Sequence, residues 1–306
     1  MMIERLKNNV NTYFIGKEEV VEDVLVCLLA GGHVLLEDVP GAGKTTLAKT
    51  LSRSVDCSFG RIQFTPDTLP SDVTGLTVYN MKTGEFDYKE GAIMRNILLA
   101  DEINRTSPKT QACLLEAMGE GQVTVDGKVY PLPDPFMVFA TQNPVEFLGT
   151  FPLPEAQLDR FMMRLSIGYP ETESEILMAK NFMEGKTADS VPPVCSAHDV
   201  LAMKEDVKKV HVSDALLGYV QEIIGLTRKE ERFALGASPR AFLHLLDASR
   251  AKAYLSGRDY AKPDDVKAVV TQVLHHRLQL TQEARLHRED TDRLIRDLVI
   301  RAHLPV

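Results

Sequence analysis

The stretch LLEDVPGAGKTTLAKTL, residues 35–51, constrains the fold more than any other part of the chain. A short apolar run, a loop holding Gly41 and Gly43, and a segment opening on Lys44-Thr45-Thr46 read as strand, tight loop and helix. Glycines let such a loop curl until successive N–H groups face one anion, and the helix N-terminus adds its own unpaired N–H groups. Lys44 then suits the β- and γ-phosphates of a nucleotide, and the Thr45 hydroxyl suits Mg²⁺. Asp38 stands where the G-x-x-x-x-G-K-[ST] pattern has its first glycine. A carboxylate turned inward would repel a triphosphate, so Asp38 is expected to point away and cap a turn.

A strand–loop–helix of this kind needs a sheet to carry it, and the chain supplies one. HVLLE, GRIQFTP, RNILLADE, PFMVFATQNP and RFMMRLSIGYP are short apolar runs separated by helical patterns. They predict an α/β fold, a three-layer αβα core around a parallel five-stranded sheet covered on both faces. The segment 17–30 places its apolar groups on one helical face and is closed by Gly31-Gly32. Two β-hairpins interrupt the alternation, one at 75–93 around KTGE and one at 121–133 across Asp126-Gly127. After Tyr169-Pro170 the pattern turns helical, with SVPPVCS as its clear proline-rich break. The expected division is a nucleotide-binding core at 1–170 followed by a small all-α lid at 171–306.

Charge narrows the partners. Against 43 acids stand 35 bases, a net −8, which argues against sequence-independent nucleic-acid binding. No apolar run approaches the roughly 18 residues of a membrane span, and the first residues lack the apolar core of a signal peptide. Cys27, Cys57, Cys113 and Cys195 are scattered without a C-x-x-C pair, as expected for reduced thiols in a cytoplasmic protein. His275, His276 and His287 lack ligand partners at metal-site spacing and read as packing or surface residues. Met178, Met183 and Met203 read as core filler.

The strand NILLADE carries Asp101 and Glu102 to the edge where parallel sheets bind ligands. Asp101 suits Mg²⁺, and Glu102 suits polarising a water for attack on a γ-phosphate. Asn143 ends the next strand, where an amide can hold that water; an Asn-Pro turn explains it equally well. Arg160 in LPEAQLDRF and Arg240 in GASPRA offer guanidinium forks for charge on a transferring phosphoryl group. Without their context both would read as surface ion pairs.

Together EDVPGAGKTTLAK, LLADEINRTSPKTQACLLEAM, FATQNPVEFLGTFPLPEAQLDRF and LGASPRA resemble the MoxR family of AAA+ ATPases, across residues 13–280. The resemblance implies that Pro40, Gly41, Ala42, Gly43, Lys44, Thr45 and Thr46 hold the nucleotide, with Asp101 and Glu102 as the Walker B acids. It implies Asn143 as sensor 1 and Arg240 as sensor 2, reaching the γ-phosphate from the lid. It makes Arg160 the arginine finger for ATP bound by the neighbouring subunit, and it places Ile15 and Gly16 against the adenine. It also implies ATP and Mg²⁺, a homo-oligomeric ring, usually hexameric, and a partner with a von Willebrand factor A domain. The associated role is chaperone-like maturation of enzyme complexes, including metal cofactor insertion. Two other readings compete. A DNA-associated motor would share the hairpins, but QVTVDGKVYPLP carries one lysine and one aspartate, a poor tip for tracking phosphates. A nucleotide-gated scaffold without turnover would have less need of the intact Asp101-Glu102 pair.

Overall fold

The computed structural model describes residues 2–38, 41–142 and 150–304. Helix α1 (Met2–Tyr13) buries Ile3, Leu6 and Val10, at the three- and four-residue spacing of a one-sided helix. Helix α2 (Glu18–Leu29) is covered on nearly every side, with all residues from Val24 to Leu29 buried. Then come β1 (Val34–Glu37), α3 (Lys44–Ser54), β2 (Phe59–Gln63) and the short α4 (Pro70–Thr74). The first hairpin is β3 (Gly75–Asn80) with β4 (Glu85–Glu90), and β5 (Ile97–Asp101) leads into α5 (Pro108–Glu120). The second hairpin is β6 (Gln122–Val125) with β7 (Lys128–Pro131), followed by β8 (Met137–Gln142), α6 (Glu155–Leu158) and β9 (Met163–Leu165).

The expected five strands form one parallel sheet in the order β2-β5-β8-β1-β9. Their side chains divide with period two between two apolar layers. Val34, Leu36, Ile97, Leu99, Met137 and Phe139 face the layer of α1, α2 and α3. Leu35, Leu98, Ala100, Val138 and Ala140 face the layer of α5 and the hairpins. Burial on both faces is why these strands read as continuous apolar runs. The register sets Glu37 beside Gln142 and Gln63 beside Asp101, so four polar side chains share the C-terminal edge.

Both hairpins form where the turn residues predict them. Asp126 and Gly127 have φ of 48° and 76°, the paired positive values of a tight two-residue turn. The hairpins lean together: Tyr88 stacks on Tyr130 at 3.9 Å, and the Thr77 hydroxyl donates to the Asp126 carboxylate. Tyr79, Met81 and Phe86 stand exposed near the tip of the first.

The rest is helical: α7 (Thr172–Met183), α8 (Ala197–Lys209), α9 (Asp214–Lys229), then β10 (Phe233–Leu235) and α10 (Pro239–Leu255). It continues with α11 (Pro263–Leu274), a 3₁₀ turn His275–Arg277, β11 (Gln279–Leu280), α12 (Gln282–Leu286) and α13 (Thr291–Arg301). Ser196, Ser213, Ser238, Thr281 and Asp290 each cap a following helix with a side-chain oxygen, which fixes these boundaries. The antiparallel pair β10–β11 is an addition to the all-helical expectation. Buried side chains of α8–α11 and α13 merge with the α1–α3 layer into one core. Glu22 on α2 takes Lys7 at 2.6 Å and also Lys252 from α10, and Asp23 accepts from Gln272 of α11 at 3.2 Å.

Met203 is buried as expected, but Met178 and Met183 are exposed: α7 buries none of its residues. All four cysteines are free. His276 packs against the Phe161 carbonyl at 2.9 Å and His275 pairs with Asp292, so both serve packing. Among the described residues no helix is long and apolar enough to cross a membrane.

Candidate nucleotide site

A polar cleft of 410 Å³ opens at the C-terminal edge of the sheet. One wall is Asp38 with the loop and first turn of α3, Gly41, Gly43, Lys44, Thr45 and Thr46; the other is Arg61, Gln63, Asp101, Glu102 and Thr141. Gly41 and Gly43 have φ of 85° and 88°, the left-handed curl that aims the loop's amides inward. Gly43 has a second reason to be glycine, since the Phe14 ring lies 3.2 Å from where a Cβ would stand. The first closing bond of α3 runs from Leu47 N to Gly43 O at 2.9 Å. The N–H groups of Lys44, Thr45 and Thr46 therefore have no intrahelical acceptor and suit an anion.

Asp38 turns away from this anion site. Its carboxylate accepts from the Ser166 hydroxyl at 2.9 Å, from Ile167 N at 2.5 Å and from Gly168 N at 3.0 Å. Its main-chain carbonyl takes the Lys44 ammonium at 2.8 Å. One residue thus joins the phosphate lysine to the segment after β9. The acid in the place of glycine is a tether and leaves the cradle free.

The two acids are fixed by their neighbours. Thr141, 1% exposed on β8, donates from Oγ1 to Asp101 Oδ1 at 2.6 Å and accepts from Glu102 N at 2.9 Å. Arg61 Nη2 donates to Asp101 Oδ2 at 2.6 Å, and Gln63 Nε2 donates to Glu102 Oε2 at 2.7 Å. Glu102 adopts φ 56° and ψ 49°, a left-handed conformation costing about 1 kcal/mol or more for a residue with a Cβ. Strain of this kind persists where the surroundings over-determine it, as Thr141 and Gln63 do here. Sequence reasoning found both acids but passed over Arg61, Gln63 and Thr141. Gln63 and Thr141 stand at or next to the C-terminal ends of their strands, and Arg61 lies in the middle of β2.

Beyond Gly41, Gly43 and Thr46 the cleft continues as an apolar pocket of 270 Å³ lined by Tyr13, Phe14, Ile15, Ala42, Ile167, Tyr169 and Met178, among others. An apolar slot beside a phosphate cradle fits a flat heterocyclic base. Ile15 is among its lining residues. Gly16, φ 77°, lies against α7, where an added Cβ would stand 2.3 Å from Ser174 Oγ. The helical part contributes Glu175 and Met178 to this pocket.

The two arginines lie elsewhere. Arg160 Nη1 donates to the Leu115 carbonyl of α5 at 2.6 Å, in space kept open by Gly119. Arg240, in the first turn of α10, is held by Asp159 Oδ2 at 3.3 Å. Neither lines the polar cleft or the apolar pocket. Arg240, expected at the γ-phosphate from the lid, is held by Asp159 in this structure. Pro40 and Asn143 lie outside the described residues.

A parallel five-stranded sheet, a glycine-curled loop feeding a helix, an acid pair two strands away and a helical lid define a P-loop nucleotide-binding protein of AAA+ architecture. A family model for the "ATPase family associated with various cellular activities (AAA)" matches residues 33–163, and one for the "AAA lid domain" matches 225–298. The chain is 46% identical to the uncharacterized protein YeaC of Bacillus subtilis, covering all of this chain and 95% of that one. It is 44% identical to Chaperone MoxR1 of Mycobacterium tuberculosis over 92% of this chain and 77% of the relative. A crystal structure of a Cytophaga hutchinsonii protein assigned as an ATPase superposes with a TM-score of 0.92 at 38% identity, covering 99% and 94% of the two chains. The chain belongs to the MoxR family of AAA+ ATPases.

Proposed function

We propose that the protein hydrolyses ATP at a site completed by a second copy of itself, and uses the cycle to remodel partner proteins. The observation that carries this is the division of the chemistry. The cleft holds a phosphate cradle, a lysine and two positioned acids, while Arg160 and Arg240 both lie outside it.

In this reading the base enters the apolar pocket beside Ile15, and the triphosphate lies across the N–H groups of α3 with Lys44 on its outer phosphates. Glu102, aimed by Gln63, takes the proton of the attacking water. Thr45 and Asp101 fit a hard cation because both offer oxygen to the same cleft. No cluster of three or more metal-binding side chains exists among the described residues. Mg²⁺ is a hard cation that takes one or two carboxylates and completes its shell with phosphate and water. When bound, Mg²⁺ neutralises charge on the β- and γ-phosphates. Arg61, now on Asp101, would swing aside or onto phosphate. Arg160 supplies cationic charge to the neighbour's γ-phosphate.

The same reading divides the chain into a core at 1–170 and a lid at 171–306. A homo-oligomeric ring, a von Willebrand factor A domain partner and metal cofactor insertion into a client rest on the family resemblance. The chaperone name of the Mycobacterium relative supports the general type. The exposed Tyr79, Met81 and Phe86 give the first hairpin an apolar end suited to a protein client, and net −8 disfavours DNA. ATP turnover measured across protein concentrations tests the central claim. Specific activity should rise with concentration and collapse in Arg160→Ala; activity indifferent to both would mean a self-contained site.

A further inference from the structure

The seam between lid and core contains a buried arginine that neither the cleft nor the arginine pair accounts for. Arg277 ends the 3₁₀ turn after α11, and its side chain is 1% exposed. A guanidinium out of water costs several kcal/mol unless its N–H groups find acceptors. Arg277 finds them in one place. Nε donates to Asp159 Oδ1 at 2.8 Å, and Nη2 donates to Asp159 O at 3.1 Å, Phe161 O at 2.5 Å and His244 Nδ1 at 2.6 Å. Nη1 donates to Met162 O at 3.1 Å and to Val273 O. Burial, with the Arg277 charge beside it, pushes His244 down to about 3, so its ring stays neutral and Nδ1 remains an acceptor.

Four of these bonds end on residues 159–162, the segment that carries Arg160. The carbonyls on either side of Arg160, those of Asp159 and Phe161, are both held by Nη2 of Arg277. The Asp159 carboxylate that meets Nε also accepts from Ser238 Oγ at 2.8 Å and holds Arg240. One lid side chain thus fixes the backbone under Arg160 and shares the Asp159 carboxylate with Arg240. A plain apolar seam would hold lid to core without selecting this segment.

We propose that Arg277 is a positioning residue for catalysis in the neighbouring subunit: it locks the backbone that carries Arg160 and ties that segment to the lid. Any lid displacement caused by nucleotide in one subunit is then felt at the finger it offers to the next. This rests on the reading that Arg160 acts in trans, and the test separates the two. Arg277→Lys keeps the charge but cannot span the fork of acceptors. Its own cleft is untouched, so nucleotide affinity, read with a fluorescent ATP analogue, should stay within about twofold. Its kcat should fall by about tenfold or more, since misplacement by 1 Å can cost about 10²-fold. Mixing it with Glu102→Gln, which cannot hydrolyse but keeps a correct finger, should raise turnover above that of either variant alone.

Arg160→Ala mixed with Glu102→Gln is the parallel measurement. Recovery there without recovery for Arg277→Lys overturns the positioning role and leaves the trans reading standing. No recovery for Arg160→Ala overturns the trans reading, and the positioning role with it. A kcat for Arg277→Lys within twofold of wild type also overturns the proposal. Should Arg277→Lys not fold, Asp159→Asn carries the same test. It keeps the shape but puts an NH₂ group where only acceptors fit, and the same loss of kcat with retained affinity and recovery on mixing is expected.

Discussion

The nucleotide cleft and the arginine cluster lie in the same chain and are built on opposite plans. In the cleft the side chains are held by their neighbours, Arg61 lying on Asp101 within the cleft itself, and what is left open is main chain. Lys44 is steadied by the Asp38 carbonyl, Asp101 by Thr141, and Glu102 by Gln63, while the first N–H groups of α3 have no partner in their helix. In the arginine cluster the guanidinium groups are engaged: Arg160 with Leu115, Arg240 with Asp159, and Arg277 with the segment 159–162. Donors left open suit a small-molecule ligand. Donors parked on their own chain suit a group held ready for a partner that arrives later.

The largest effect should come from breaking the cluster's half of this arrangement. Arg160→Ala is expected to lower kcat by about 10³-fold, the range of arginine fingers, with nucleotide affinity retained. Affinity lost together with kcat would place Arg160 in its own chain's cleft and erase the contrast. Breaking the cleft's half comes next. Glu102→Gln should cost about 10²–10³-fold in turnover and still bind ATP, as measured by steady-state hydrolysis beside equilibrium binding. Gln63→Leu, which leaves the Glu102 carboxylate to its longer contact with Arg105 at 3.4 Å, should cost about tenfold in kcat, and turnover at the wild-type rate would mean Glu102 needs no positioning from β2.

Stability sharpens the comparison further. Asp38→Ala removes the acceptor of two main-chain N–H groups and a hydroxyl, and should destabilise the protein by about 2–4 kcal/mol in denaturant unfolding. The smallest effect concerns the seam beneath the cluster. Asp23, buried on α2, is raised to about 7 chiefly by burial. Its folded value lies above the unfolded one, so the folded state loses stability as pH rises from about 4 towards 7. Asp23→Asn should therefore be the more stable protein at pH 8, by about 1–3 kcal/mol, with no advantage at pH 4. Buried His33 has the opposite sign: burial lowers it to about 4, so its contribution is intact above about pH 6.5 and fades as pH falls.

What the sequence disclosed follows the range of the forces involved. The phosphate loop, the five strands, the Asp126-Gly127 turn and the acids ending β5 are local signals, each carried by a few consecutive residues. Even the outward turn of Asp38 was legible, because a carboxylate and a triphosphate cannot share a cradle. Arg61, Gln63 and Thr141 were not, since their partners lie across strand register on β5 and its edge. The Asp159 contact of Arg240 was hidden for a similar reason: it depends on how α10 docks beside Asp159, and no run of residues encodes that. Met178 and Met183 show the same limit. A helical pattern gives the apolar face, but not whether anything covers it.

The shared layer beneath α2 has a thermal consequence. Side chains from the sheet, α2, α10 and α11 belong to one buried cluster, and Glu22 on α2 binds lysines from both α1 and α10. Two lobes joined only by a linker would melt independently. Here, removing the helical part would strip the cover from α2, whose residues from Val24 to Leu29 are all buried. The chain should therefore absorb heat in a single calorimetric transition, its lobes surviving or failing together.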